Sequence, residues 1–226
     1  MFRDFISIFS TDDPLGAMGE RFTRMLAMTG EMALAAGRIY FEGAAPPDER
    51  KRLYAQDIQV NKLEREIRKL IVAHLSIRKR PADVPYCLYL LSLVKDVERL
   101  GDYAKNLSEL IDIGGGRPPE DANVAELRTI RDHVEQVFRD APDIVTNGDR
   151  ERALKLIPEG RQYNKRCDEL MKRVGQSPYD ARTAVALALG ARYYKRFGGH
   201  LLNVLSSVVM PVHKLDFFDE DAIPRE

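Results

Sequence analysis

The sequence predicts an all-α fold of two tandem three-helix bundles, and three observations carry that expectation. Proline, glycine and capping aspartates cut the 226-residue chain into six long segments, each with apolar residues at helical rather than alternating spacing. Helices of roughly 25–33 residues are rods of about 40–50 Å, and such rods are stable in water only by packing side by side. The third and sixth segments also repeat each other at a constant offset of 97 positions. Glu98-Arg99-Leu100-Gly101-Asp102-Tyr103-Ala104-Lys105-Asn106-Leu107 aligns with Lys195-Arg196-Phe197-Gly198-Gly199-His200-Leu201-Leu202-Asn203-Val204. The arginine, glycine and asparagine match identically, and three apolar positions stay apolar. Asn61-Lys62 and Asn164-Lys165 repeat at a similar offset of 103.

Asp13-Pro14 supplies an N-cap and a first-turn proline, so helix one runs from about Pro14 to Phe41, short of the Gly43 to Pro47 breakers. Asp48 caps helix two, which lasts through Leu53, Ile58, Leu63, Ile67, Leu70 and Ile71 to the Arg78-Lys79-Arg80-Pro81 turn. Asp83 starts helix three, which ends at Gly114-Gly115-Gly116. Helix four spans Glu120 to about Thr146 and stops at Asn147-Gly148. Asp149 caps helix five, in which Pro158 predicts a kink. Ser177-Pro178 opens helix six, which reaches about Met210. The expected units are a first repeat at 1–113, a second at 117–212, and an acidic tail at 213–226.

Lys+Arg and Asp+Glu each number 35, and charged residues make up 31% of the chain. Residues 1–113 hold 17 basic and 17 acidic side chains, so the balance is local as well as global. A general nucleic-acid binder carries a basic surplus to neutralise phosphates, and none exists here. A hydrophobic share of 44% excludes a disordered chain. Cys87 and Cys167 lack zinc or redox spacing and read as reduced, buried thiols of a cytoplasmic protein. No stretch reaches the roughly 20 apolar residues that span a bilayer, and Asp4 interrupts the apolar start, which argues against a signal peptide.

On helix three, Leu93, Val97, Leu100, Ala104, Leu107 and Ile111 form one apolar face. Lys95, Glu98, Asp102, Asn106 and Glu109 run beside it at the same spacing. Glu98 and Asp102 are i,i+4 neighbours whose like charges repel unless a cation neutralises them. Helix two offers a matching row of Asp57, Asn61 and Glu64. Oxygen donors from two helices suit a hard or borderline metal: Mg, Ca, Mn or iron. The alternative is a solvated face in which Glu98 pairs with Lys95 or Arg99 and Asp102 with Lys105.

The run Lys95-Asp96-Val97-Glu98-Arg99-Leu100-Gly101-Asp102-Tyr103-Ala104-Lys105-Asn106-Leu107-Ser108-Glu109 resembles the signature of the PhoU family of phosphate-uptake regulators. So does the upstream row from Asp57 to Ile67. The resemblance covers residues 48–113 well, 149–210 more weakly and the N-terminus faintly. It implies two three-helix bundles in a cytoplasmic, often dimeric protein that acts beside a phosphate transporter component and a sensor histidine kinase, holding the starvation response off when phosphate is plentiful. It also implies a divalent or trivalent metal (iron, Zn, Mg, Mn or Ca) at Glu98 and Asp102, with Asp57, Asn61 and Glu64 on the helix-two side.

The second repeat departs from that pattern. The acid-pair positions hold Lys195 and Gly199, and the counterparts of Asp57 and Glu64 are Gly160 and Cys167. A lysine puts fixed positive charge where a metal would sit, so one metal site or cluster per chain is the most expected. Helix six has no acid between Ala181 and Val212 but carries Arg182, Arg192, Lys195 and Arg196. Either these bases pair with Asp168, Glu169 or helix-four acids, or Arg192, Lys195 and Arg196 form a patch for an anion or an acidic partner.

A carboxylate-metal enzyme is the enzymatic rival. Its bundle sites use Glu-x-x-His pairs, and none of His74, His133, His200 or His213 has a glutamate three residues before it. His74 and His200 read as core-edge histidines. With no phosphate-cradling loop and no nucleophile–base–orienter set, a non-enzymatic protein is expected. A helical adaptor or scaffold with no phosphate role is the other rival. Phe2, Phe5, Ile6 and Phe9 at one end, and Phe217-Phe218 among acids at the other, would pack on their own bundle or dock a partner. At most the N-terminal group would support peripheral membrane association.

Overall fold

A computed structural model describes residues 14–78, 80–114 and 116–215, and these are all-helical. Six long helices follow in order: α1 Pro14–Glu42, α2 Glu49–Arg78, α3 Val84–Gly114, α4 Ala122–Asn147, α5 Arg150–Gly175 and α6 Ala181–Ser206. Short 3-10 turns cover Pro81–Asp83 and Val212–Lys214. The terminal aromatics Phe2, Phe5, Ile6, Phe9, Phe217 and Phe218, and the Asp13 cap, lie outside the described residues.

The helix ends follow local chemistry. Asp121 caps α4 by accepting from Val124 N at 3.0 Å, and Asp149 caps α5 by accepting from Arg152 N at 3.0 Å. Gly148 ends α4 in a left-handed conformation, φ 62°, which a residue with a side chain adopts at a cost. Two boundaries differ from expectation. α6 starts three residues after Pro178 because Asp180 accepts from both Arg182 N and Thr183 N. It ends at Ser206, followed by turns rather than helix as far as Met210. α5 continues through Pro158, and α4 holds Pro142, a second internal proline that the expected boundaries do not register.

α1, α2 and α3 pack on one another, as do α4, α5 and α6. α3 also packs on α6 and α1 on α4, so four helices join the two bundles while α2 and α5 pack chiefly within their own. One continuous apolar core results, running from Leu15 to Val209. Leu93, Val97, Leu100, Ala104 and Leu107 of the α3 face are buried within it, whereas Ile111 is half-buried at its edge. Cys87 and Cys167 are free and buried, and burial pushes their thiols up to about 11 and about 12. No helix among the described residues is long and apolar enough to cross a membrane.

Two tyrosines set how closely α1 approaches α6. Tyr40 of α1 lies over Gly190 of α6, where a Cβ would stand 2.6 Å from its hydroxyl, and the hydroxyl donates to Ala186 O at 3.2 Å. Tyr194 of α6 lies over Gly37 of α1 in return, with 2.9 Å from its hydroxyl to a Cβ built there. A Gly190→Val substitution is expected to cost about 1–3 kcal/mol by overpacking against a rigid ring. Urea denaturation should show it as a lower midpoint at unchanged slope.

Candidate functional site

The half-buried edge where α2 meets α3 carries the acids singled out in the sequence. Leu53, Val60, Leu63, Ile67 and Ile71 bury the inner face of α2, which leaves Asp57, Asn61 and Glu64 on its α3 side. α3 contributes Lys95, Glu98, Asp102, Lys105 and Asn106, all half-buried. Gly101 faces α2: a Cβ there would lie 3.6 Å from Asp57 Oδ1.

Lys105 is the centre of this edge. Its Nζ donates to Asp57 Oδ2 at 2.9 Å and lies 3.2 Å from Asp102 Oδ1, so one ammonium joins the two carboxylates across the helix pair. Asn61 Nδ2 donates to the same Asp57 oxygen at 3.3 Å. Burial pulls the Lys105 pKa down, but hydrogen bonds and charge from Asp57 and Asp102 outweigh that and hold it above the usual lysine value. Lys95 donates to Glu98 Oε2 at 2.7 Å, and Arg68 pairs with Glu64 Oε1 at 2.8 Å. The Arg68 contact is an ion pair without hydrogen-bond alignment, since Glu64 Oε1 is buried and has no hydrogen-bond partner.

Each expected carboxylate thus has a cation from its own chain. A hard metal needs several oxygen ligands converging on one point. Among the described residues no three His, Cys, Asp or Glu side chains converge in that way, and an ammonium stands between Asp57 and Asp102. As folded, the donor set does not fit a metal.

In the second repeat the counterparts of Asp57 and Glu64 carry no charge. Gly160, Asn164, Cys167 and Gly198, the counterparts of Asp57, Asn61, Glu64 and Gly101, line a cavity of about 10 Å³, together with His133 and Tyr163. That is room for about one water, beside the positions that carry carboxylates in the first repeat. His133 stacks on Tyr163 with ring centroids 3.8 Å apart, and its Nε2 is buried without a hydrogen bond. Burial lowers its pKa; Glu159 opposes this and Arg166 adds to it. Lys195 donates to both oxygens of Asp168 at 2.6 and 2.5 Å, while Arg192 and Arg196 are exposed. The expected patch of Arg192, Lys195 and Arg196 is therefore reduced to its two arginines.

One polar cluster lies beyond what the motif marks. Asp96, buried at the α3–α6 contact, accepts from Asn203 Nδ2 at 2.9 Å and meets His200 Nδ1 at 2.7 Å. Tyr103 stacks on His200 and faces Tyr193 at centroid distances of 5.6 and 6.0 Å. His74 has a partner of its own kind, Asp83 at 2.7 Å. Both histidines are core-edge residues held by a carboxylate, and sequence spacing does not reveal the carboxylate.

Two three-helix units with an acid-Arg-apolar-Gly-Asp block on the third helix define a PhoU-like protein. The sequence pattern of the PhoU domain matches residues 22–111, which span most of α1 to α3. The chain is similar to the phosphate-specific transport system accessory protein PhoU homolog of Pseudomonas putida, 28% identical over 170 residues, covering 71% of this chain and 64% of that protein. The chain thus matches less than two thirds of that relative's length. The Xylella fastidiosa homolog is 25% identical over 207 residues, covering 88% of this chain and 85% of its own. Among solved structures, the fold is similar to PhoU from Pseudomonas aeruginosa, with a TM-score of 0.73 at 21% identity over 87% of this chain and 95% of that one. It is also similar to the PhoU regulatory protein from Streptococcus pneumoniae, with a TM-score of 0.72 at 12% identity over 86% and 92%.

Replacing Lys105 by methionine leaves Asp57 buried without its cation and is expected to cost about 1–3 kcal/mol. The double variant Asp57→Asn/Lys105→Met should recover most of that loss in urea denaturation. His133 yields a pH dependence with a definite sign. The unfolded chain takes up its proton near pH ~6.5, whereas the folded protein does so only at lower pH. Stability should fall as pH drops below that value and level off once the folded form is protonated too. A His133→Phe variant, measured by denaturation at several pH values, should lose this slope.

Proposed function

We propose that this chain is a non-enzymatic regulator of phosphate uptake and phosphate signalling. It works in the cytoplasm as a homodimer, binds a phosphate transporter component, a sensor histidine kinase or both, and holds the starvation response off when phosphate is plentiful. The observation that carries this reading is the PhoU domain at residues 22–111, supported by relatives named for the phosphate-specific transport system.

The α2–α3 edge is the surface this reading assigns to partner contact. Asp57 and Glu64 are buried there while Glu98 and Asp102 are half-buried, so a partner's charged groups meet Glu98 and Asp102, and mismatched charges are rejected. The α3–α6 contact would carry the consequence to the second bundle. A partner that prefers one arrangement of the bundles shifts their equilibrium by its difference in affinity for the two. No step passes through a metal.

Deleting the gene is expected to derepress a phosphate-starvation reporter in high-phosphate medium. Complementation with a Glu98→Lys/Asp102→Lys variant should fail to restore repression and should lose copurification with the transporter or kinase. An unchanged reporter would favour the adaptor reading. Metal is tested separately, by elemental analysis of the wild type and a Glu98→Gln/Asp102→Asn variant. Retention by the first and loss by the second would reinstate a metal at this edge.

A further inference from the structure

The α3–α6 contact contains a second charged feature. Asp96 of α3 meets His200 of α6 at 2.7 Å, and Tyr103 of α3 meets Tyr193 of α6 at a ring-centroid distance of 6.0 Å, so the two helices run antiparallel. The 97-residue offset of the repeat carries Asp96 onto Tyr193 and Tyr103 onto His200, exchanging one contact for the other. The contact is therefore built around a pseudo-two-fold axis. That axis passes midway between residues 96 and 103 on α3, and midway between 193 and 200 on α6.

Arg99 and Arg196 stand at that midpoint, and the axis exchanges them. Arg99 follows Asp96 by three residues and precedes Tyr103 by four, and Arg196 has the same relation to Tyr193 and His200, so each shares the flank of its helix that borders the other. Both are exposed, whereas Asp96 is buried and Tyr103, Tyr193 and His200 are half-buried. A two-fold rotation preserves height above the helix pair, so both arginines rise on the same solvent side. Helix axes in contact are about 8–10 Å apart, a gap that two arginine side chains can close on from either side.

These two arginines lack the partners their neighbours have. Neither forms an ion pair or hydrogen bond among the described residues, although Arg152 and Arg166 pair with Asp140, Asp143 and Glu126. The surrounding acids are engaged elsewhere: Asp96 by His200 and Asn203, Glu98 by Lys95, and Asp168 by Lys195. The axis also exchanges Tyr103 with His200, whose rings stack across it 5.6 Å apart, so an anion on the axis would rest on the solvent side of that stack, where two arginines without a counter-charge gain from one.

We infer that Arg99 and Arg196 together bind one phosphate dianion on the pseudo-two-fold axis. Each guanidinium offers a planar fork that matches two oxygens of an oxyanion. A tetrahedral anion has two-fold axes of its own, so it presents equivalent oxygen pairs to both forks, and its two charges balance theirs. Arg192, one turn before Arg196, adds to the positive field. Lys195 takes no part because Asp168 holds it. The choice of phosphate among oxyanions rests on the phosphate-regulation reading, whereas the two-arginine site does not.

Calorimetric titration of the full chain with inorganic phosphate at low ionic strength tests this. Wild type is expected to bind one phosphate per chain, Arg99→Gln and Arg196→Gln each about tenfold or more weakly, and the double variant not at all. Thermal denaturation gives a second readout of opposite sign. Each single variant should melt at or above wild type without phosphate, and added phosphate should raise the melting temperature of wild type alone. Absence of binding to the wild type at about 10 mM phosphate, well beyond a millimolar site, or undiminished binding by the double variant, overturns the site. Equal binding of sulfate overturns the assignment to phosphate. Because binding is measured on the isolated protein, its failure is separate from failure of the reporter experiment.

Discussion

The antiparallel contact between α3 and α6 positions most of the molecule. It joins the two bundles along their third helices, and the Tyr40–Gly190 and Tyr194–Gly37 contacts then fix how near α1 comes to α6. A glycine faces each tyrosine hydroxyl, where a Cβ would stand 2.6 or 2.9 Å away, and the apolar core runs from one bundle into the other without a break. The buried Asp96 would be a liability in such a place, as an unpaired carboxylate taken out of water is costly. His200 and Asn203 from the opposite bundle supply what it needs, so the same residues that satisfy the charge also fix the register of α3 against α6.

Duplication explains why the two halves look alike in backbone and unlike in chemistry. A Cβ at Gly198 of α6 would collide with Asn164 Oδ1 of α5, whereas one at Gly101 of α3 would make ordinary contacts with Met32 and Asp57, so the glycine is present in both copies but demanded by packing only in the second. The side chains around these glycines have diverged. In the first copy three cations pair with four acids; in the second, Gly160 and Cys167 stand at two of the acid positions, and a cavity of about 10 Å³ lies there beside His133 and Tyr163. The neutrality of the chain as a whole therefore comes with internal charge pairs on the first edge, a Lys195–Asp168 pair on the second, and scattered surface pairs.

Helix boundaries were legible in the sequence wherever a single residue type decides them, as at Asp149, Gly148 and the Gly43 to Pro47 break. They were less so at α6, where Ser177-Pro178 and Asp180 compete as starts and the two first-turn N–H groups that bond to Asp180 Oδ1 decide for Asp180. The charged edge was legible as an i,i+4 stripe, and so was its alternative reading, because Lys95 and Lys105 lie within one turn of the acids they hold. That Lys105 also reaches across to Asp57 was not legible, since the two are 48 positions apart and only the packing of α2 on α3 brings them together. Asp96, His200 and Asn203 escaped for the same reason: the bonds span 104 and 107 positions, and a buried acid looks in sequence like any other charge on a helix.

The lysine between Asp57 and Asp102 has a consequence for supply. A dissociable ion occupies a site according to its concentration outside, so its occupancy rises and falls with the cell's metal economy and yields to chelators. A covalently tethered ammonium is present at a fixed, high effective concentration whatever the surroundings contain. The charge balance of this edge is thus inherited with the chain rather than acquired from solution.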